Sequence, residues 1–252
     1  MNTLQDRVAL VTGSSRGIGA AIATLFANEG ARVVVHGRDT DAVETVRSRI
    51  EATGARVMSV IADLTRYDEI EGMRDRIEEV HGPVDILVAN AGASPSRPGA
   101  IEEISEEAWR ASVDANLTAT FLTIKCFLTG MRKRGRGNVI TMSSAAARRP
   151  NPGSPIAYAA AKAGIELLTK DVAAQAGPHG VRANCIAPET IMTETNQQQI
   201  PEQVQETLRG THPIRRLGTP EDVAQTALFL ASDNSAWISG IVVDVAGGSV
   251  LL

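Results

Sequence analysis

Short, wholly apolar runs recur along this chain, separated by longer stretches that are apolar on one side only. Val8-Ala9-Leu10-Val11 is the first such run. Four apolar residues in succession suit a strand covered on both faces, as in a parallel sheet. Comparable runs at 32–35, 56–61, 84–89, 138–142, 181–186 and 241–245 predict six more strands. Helical periodicity falls between them, over 20–28, 41–52, 70–80, 106–132, 156–175 and 220–230. Pro220 stands near the first turn of the last helix, where its missing N–H costs nothing. The stretch before Pro220 reads as an irregular insert. Strand and helix otherwise alternate, with no linker, internal repeat or low-complexity segment. This pattern predicts an α/β fold: one doubly wound, mostly parallel sheet of about seven strands with helices on both faces, joined by right-handed crossovers. Ligands then belong beyond the carboxyl ends of the strands.

Composition narrows the setting. The chain has 252 residues, long for one domain, but doubly wound sheets often reach this size, and residues 1–252 are expected to form a single domain. A net charge of −4 gives no support for nucleic-acid binding. There is no apolar run of about 18 residues to span a membrane. Residues 1–7 lack the basic and apolar segments of a secretory signal. Cys126 and Cys185 have no metal-ligand spacing and suit a reducing cytoplasm.

Two stretches carry candidate chemistry. After the first strand comes Thr12-Gly13-Ser14-Ser15-Arg16-Gly17-Ile18-Gly19, followed by a helical pattern. Strand, glycine-rich turn and helix start is an arrangement that holds a dinucleotide diphosphate: glycines let the backbone approach, and free N–H groups at the helix start bind the anion. The spacing is Gly-x-x-x-Gly-x-Gly, not the commoner Gly-x-Gly-x-x-Gly. The second stretch is Tyr158-Ala159-Ala160-Ala161-Lys162. Its phenol and ammonium project from one helix face, one turn apart. A nearby positive charge favours the phenolate and lowers the tyrosine pKa from its usual value of about 10, towards the range useful for acid–base catalysis.

These motifs, in this order, resemble the short-chain dehydrogenase/reductase family, and in particular its 3-oxoacyl-carrier-protein-reductase-like branch. The resemblance covers almost the whole chain: Asn90-Ala91-Gly92 after the fourth strand, Asn116 in a helix, Ser143-Ser144 after the fifth strand, and Pro188 to Thr193 after the sixth. It implies a Rossmann-type oxidoreductase transferring hydride between NAD(P) and a ketone or secondary alcohol. Tyr158 would exchange a proton with the substrate oxygen, and Ser144 would orient that oxygen, although Ser143 stands beside it. Lys162 would hold the nicotinamide ribose and lower the Tyr158 pKa. Asn116 would support a water in a proton relay, or serve helix packing. Gly13, Ser15, Arg16, Gly17, Ile18, Gly19, Asp63, Leu64, Asn90, Ala91 and Gly92 would line the cofactor, with Pro188, Ile191 and Thr193 at its nicotinamide end and Ile186 beside them.

Family members that prefer NAD commonly carry an acid at the end of the second strand. Here Gly37 takes that place and Arg38 follows. A guanidinium there suits the 2′-phosphate of NADP, with Arg16 as a second cation, so NADP(H) is favoured over NAD(H). Asp39 stands against this, able to bind ribose or to neutralise Arg38.

Other features leave alternatives open. Glu189 replaces a frequent glycine and could touch substrate or local backbone. Arg148 and Arg149 open a proline-rich segment, 148–155, and could attract an anionic substrate or be solvated. The basic run Arg132-Lys133-Arg134-Gly135-Arg136 could dock an acidic acyl carrier protein, or could simply suit a helix C-terminus. The physiological substrate is therefore either a general small ketone or sugar, or a 3-oxoacyl thioester on the carrier. A reading of another class is a dinucleotide sensor without catalysis. The apolar end, Val250-Leu251-Leu252, suggests burial in a subunit interface or against its own subunit, and the resemblance implies a homotetramer.

Overall fold

The computed structural model describes residues 3–251; Met1, Asn2 and Leu252 lie outside the described residues. The strands are β1 (Val8–Val11), β2 (Arg32–Gly37), β3 (Val57–Ile61), β4 (Ile86–Ala89), β5 (Gly137–Met142), β6 (Val181–Pro188) and β7 (Val242–Val245). The helices are α1 (Gly17–Asn28), α2 (Thr40–Glu51), α3 (Tyr67–His81), α4 (Glu106–Val113), α5 (Ala119–Arg134), α6 (Ala145–Arg148), α7 (Ile156–Ala176), α8 (Glu194–Gln199), α9 (Glu202–Thr211) and α10 (Pro220–Ala231). All seven strands pair in parallel, in the order β3-β2-β1-β4-β5-β6-β7. The order reverses between β1 and β4, which opens a crevice at their carboxyl ends.

Strand periodicity explains why whole runs are apolar. Ala9, Val11, Val33 and Val35 point into one layer, against Ile22 and Phe26 of α1 and Val223 and Leu230 of α10. Val8, Leu10 and Val34 point the other way, against Ile70 and Ile77 of α3, Phe127 of α5 and Val172 of α7. Helix starts are fixed by local chemistry. Asp39 caps α2 by accepting from the Ala42 N–H at 3.1 Å, and Thr219 with Asp222 forms a capping box on α10. The Arg216 guanidinium beside Asp222 holds its carboxyl down at about 2.

Two expectations are refined. The long helix over 106–132 is interrupted by a π turn, Asp114–Thr118, between α4 and α5. The stretch before Pro220 is only partly irregular: α8 and α9 form within it, and 212–219 links α9 to α10 without a helix or strand. The alternation Val204…Leu208 on α9 is a helical signal, but the neighbouring Gln-rich run obscures it.

The apolar tail divides. Val250 is buried on its own chain, in a small cluster with Ala145 and Ala246, whereas Leu251 is exposed. The intrachain alternative therefore describes Val250. Deleting residues 250–252 is expected to lower the melting temperature by several degrees, since a buried valine side chain is worth about 1.5–3 kcal/mol. Calorimetry checks this, and an unchanged melting temperature would show the contact to be idle.

Candidate active site

The crevice begins at the uncapped start of α1. Arg16 occupies the cap position in extended geometry without a side-chain cap, and the first turn holds no acid. The N–H groups there are left for an anion. The glycines are required by close approach. A Cβ on Gly13 would stand 2.8 Å from the Ala91 Cα, and one on Gly19 would stand 2.3 Å from the Gly13 carbonyl. Asn90 Nδ2 donates to the Thr12 and Gly13 carbonyls at 3.0 and 3.1 Å, and the Ala91 N–H donates to Thr12 Oγ1 at 3.1 Å. Gly17 faces the Thr193 methyl, which would lie 3.1 Å from a Cβ there. Thr193 caps α8, so the start of that flap lies over the glycine turn.

Gly13, Ser15, Arg16, Arg38, Asp63, Leu64, Asn90, Ala91 and Gly92 all border one cleft of about 430 Å³. Ile18 instead packs against the core beneath. Asp63 accepts from the Thr65 N–H and hydroxyl at 2.9 and 2.8 Å, which lowers its pKa. Asp39 pairs with Arg16 at 3.3 Å, not with Arg38. Among the described residues Arg38 is exposed and has no ion-pair or hydrogen-bond partner. Gly37 leaves no room for an acid, since its Cβ would meet Val43 Cγ2 at 2.7 Å.

His36 is a site residue that the sequence reading missed. Its ring is buried, accepts at Nδ1 from the Gly13 N–H at 3.1 Å and reaches the Ala62 carbonyl with Nε2 at 3.1 Å. It therefore ties the glycine turn to the wall carrying Asp63, in the tautomer with hydrogen on Nε2. Burial pushes its pKa down to about 4 from 6.5. Between these values the unfolded chain binds a proton that the folded one does not, so stability falls as the pH drops from 6.5 through 4. The His36 contribution at pH 5 is expected to be a loss of about 2 kcal/mol. Urea unfolding at pH 7 and pH 5 measures it, with His36→Asn expected to remove that part of the acid sensitivity.

At the reacting end, Ser144 terminates β5 and caps the one-turn helix α6, accepting from the Ala146 N–H at 3.2 Å. The Ser144 side chain lies within reach of the Tyr158 hydroxyl and favours its phenolate. Ser143 does not compete for that place: it is buried and donates to the Lys162 carbonyl and to Glu166 Oε1, at 3.1 and 2.8 Å. Lys162 is buried, its Nζ donating to the Met142 carbonyl at 2.8 Å. Burial pushes its pKa down to about 8.

One expectation is corrected. The Tyr158 pKa is not lowered overall: burial pushes the phenol up, and the Ser144 side chain opposes this. The ammonium stands 5.5 Å from the ring centroid.

Asn116 lies in the π turn, where such irregularities often serve function. Its Nδ2 donates to the Ala93 and Ser112 carbonyls at 2.6 and 2.8 Å. Its Oδ1 is buried and has no partner. Gly92 makes the space beside it: a Cβ there would be 2.6 Å from that oxygen and 3.2 Å from Lys162 Nζ. An unpaired buried acceptor beside a lysine with two uncommitted N–H groups suits a polar guest.

Other candidates separate. Ile186 is wholly buried in the sheet core, so its side chain does not reach the cleft. Pro188 ends β6 and is likewise buried. The Ile191 side chain packs on Gly218, leaving only its main chain for a cofactor. Glu189 takes neither expected role, since His212 Nε2 holds it at 2.5 Å, while His212 Nδ1 faces the Leu208 carbonyl at 2.6 Å. Arg148 is paired with Glu166 and Asp244 and is not free to attract an anionic substrate. Arg149 is exposed.

This fold and site define a nucleotide-binding oxidoreductase. A family profile described as enoyl-(acyl carrier protein) reductase matches residues 13–249. A subunit of (2S)-[(R)-hydroxy(phenyl)methyl]succinyl-CoA dehydrogenase from Thauera aromatica is 36% identical over 98% of both chains. The structure of a 3-oxoacyl-[acyl-carrier protein] reductase with bound NAD from Brucella melitensis superposes with a TM-score of 0.90 at 34% identity, covering 99% of this chain and 94% of that one. A gluconate 5-dehydrogenase from Burkholderia cenocepacia, in complex with NADP and tartrate, gives 0.91 at 30% identity over 98% and 96%. The chain belongs to the short-chain dehydrogenase/reductase family, on its 3-oxoacyl-carrier-protein-reductase-like branch. It is an enzyme of alcohol and carbonyl groups. No helix among the described residues is long and apolar enough to cross a membrane.

Proposed function

We propose that this enzyme is an NADP(H)-dependent oxidoreductase of a small ketone or secondary alcohol, working through Ser144, Tyr158, Lys162 and Asn116. The observation that carries the reading is a buried Lys162 ammonium 5.5 Å from the Tyr158 ring, with the unpaired Asn116 Oδ1 and the Ser144 side chain at the same site. The uncapped α1 start, the glycines and the cleft fit a dinucleotide, held by Gly13, Ser15, Arg16, Gly17, Gly19, Asp63 and Asn90 to Gly92. Arg38 would receive the 2′-phosphate. When bound, NADP(H) supplies or accepts the hydride.

The protein's own groups manage the proton. A phenol raised by burial is protonated at neutral pH, so Tyr158 serves as the proton donor in carbonyl reduction. Ser144 orients the substrate oxygen. Lys162 offers its two uncommitted N–H groups to a ribose and a water, and Asn116 Oδ1 accepts from that water, giving Tyr158 a route to regain its proton.

The carrier-protein thioester reading draws support from the relatives and stands as the alternative. In the basic run Arg136 pairs with Asp85 at 3.2 Å, while Arg134 donates to the Val84 carbonyl at 2.6 Å, Arg132 meets His179 at 2.8 Å and Lys133 is exposed, so the run keeps positive charge. We further propose a homotetramer, supported by Trp109, Phe121 and Leu167, exposed apolar side chains on the long helices; sedimentation tests it. The deciding experiment for the activity is NADPH and NADH oxidation across diketones, quinones, sugars and acyl thioesters, free and carrier-bound. Turnover of free ketones with NADPH is expected. A preference for NADH, or turnover of carrier-bound thioesters alone, overturns the reading.

A further inference from the structure

Ser144 sits on a structure with little stability of its own. Helix α6 is four residues long, too short to hold its geometry without tertiary support. Its last residue, Arg148, supplies that support. Arg148 Nη1 donates to Glu166 Oε2 at 2.7 Å; its Nε and Nη2 donate to the two oxygens of Asp244 at 2.9 and 3.3 Å. The three side chains are only 17%, 11% and 23% exposed.

Glu166 has a second hold. Its other oxygen accepts from Ser143, the residue immediately before Ser144. One carboxylate therefore grips both flanks of Ser144, at positions 143 and 148. Glu166 lies one turn beyond Lys162 and two beyond Tyr158, on the same face of α7. The fork's other arm reaches β7, where Asp244 stands in the sheet.

We propose that Arg148 and Glu166 are positioning residues, a buried clamp that sets Ser144 in register with Tyr158 and Lys162 by tying α6 to α7 and to β7. The clamp rests on the reading of Ser144 and Tyr158 given above. Buried ion pairs are weak sources of net stability, because desolvation offsets attraction. What a planar guanidinium between two carboxylates supplies is direction.

The test reads Tyr158 directly. The chain has two tyrosines, Tyr67 and Tyr158, so phenolate absorbance titrated with and without Tyr158→Phe isolates the Tyr158 curve without any substrate. The Ser144 side chain lowers the Tyr158 pKa. Arg148→Met, which keeps length and removes charge, is expected to raise the Tyr158 midpoint by about half a unit to one unit, the scale of one hydrogen bond. With a ketone found in the screen, kcat should fall at least about tenfold while the NADPH Kd changes less than about twofold, since the clamp touches no nucleotide-binding group. Arg148→Lys should recover part of both losses.

If Arg148→Met does not fold, Asp244→Asn, which cuts one arm and spares the other, is read in the same way. A folded variant with a wild-type Tyr158 titration and kcat overturns the clamp, even where Tyr158→Phe is inactive. Wild-type turnover by Tyr158→Phe overturns the catalytic reading instead.

Discussion

Replacing Tyr158 with phenylalanine is expected to abolish turnover while leaving NADPH affinity nearly unchanged. Phenylalanine keeps the ring and its packing but removes the hydroxyl that meets Ser144. General acid–base contributions are typically about 10²–10⁴-fold in rate, and none of that is ground-state cofactor binding. Lys162→Ala should behave differently. In the proposed mechanism its ammonium serves both the proton route and the ribose, so kcat and cofactor affinity should fall together. Stopped-flow hydride transfer, paired with a fluorescence titration of NADPH, separates the two outcomes. Wild-type turnover by Tyr158→Phe would remove the phenol from the mechanism.

Arg38→Ala is expected to weaken NADPH about tenfold to a hundredfold and to leave NADH almost untouched. A charge-assisted hydrogen bond is worth about 1.5–3 kcal/mol, and among the described residues Arg38 makes no ion pair, since Asp39 is taken by Arg16. Converting the enzyme to NADH needs more than an acid at position 37. The Cβ of Gly37→Asp would lie 2.7 Å from Val43 Cγ2, so that substitution should succeed only beside Val43→Ala. Paired titrations with both cofactors decide the matter; equal losses for NADH and NADPH would show that Arg38 does not read the phosphate.

The sheet was legible because its inner strands are buried on both faces, which leaves an unbroken apolar run such as Val8 to Val11, even though the edge strands β3 and β7 are only partly buried. The glycine turn and the Tyr158–Lys162 pair were legible because they are local, set by contiguous residues. Long-range partners were not. Nothing in the sequence around His36 reveals that its ring braces Gly13, and nothing around Asn116 signals a π turn, since helical periodicity continues through it. Arg148 and Glu189 were read as candidates for substrate contact because each is an unexpected charge near the site. Their partners, Glu166 with Asp244 and His212, lie 18 to 96 and 23 positions away, beyond the reach of any local pattern. The Tyr158 pKa was misjudged for a related reason: the helix spacing gave the lysine, but not the depth at which both groups lie.

The support of α6 by the end of the chain bears on how the enzyme is made. The groups proposed to hold a dinucleotide through its diphosphate and adenosine come from β1 to β4 and the turns that follow them, all made before β7. The serine proposed to orient substrate is braced through its neighbours, Arg148 on Asp244 and Ala145 beside Ala246 and Val250, about a hundred residues further along the chain. A nascent chain in which β7 has not yet emerged from the ribosome therefore has no brace on that serine.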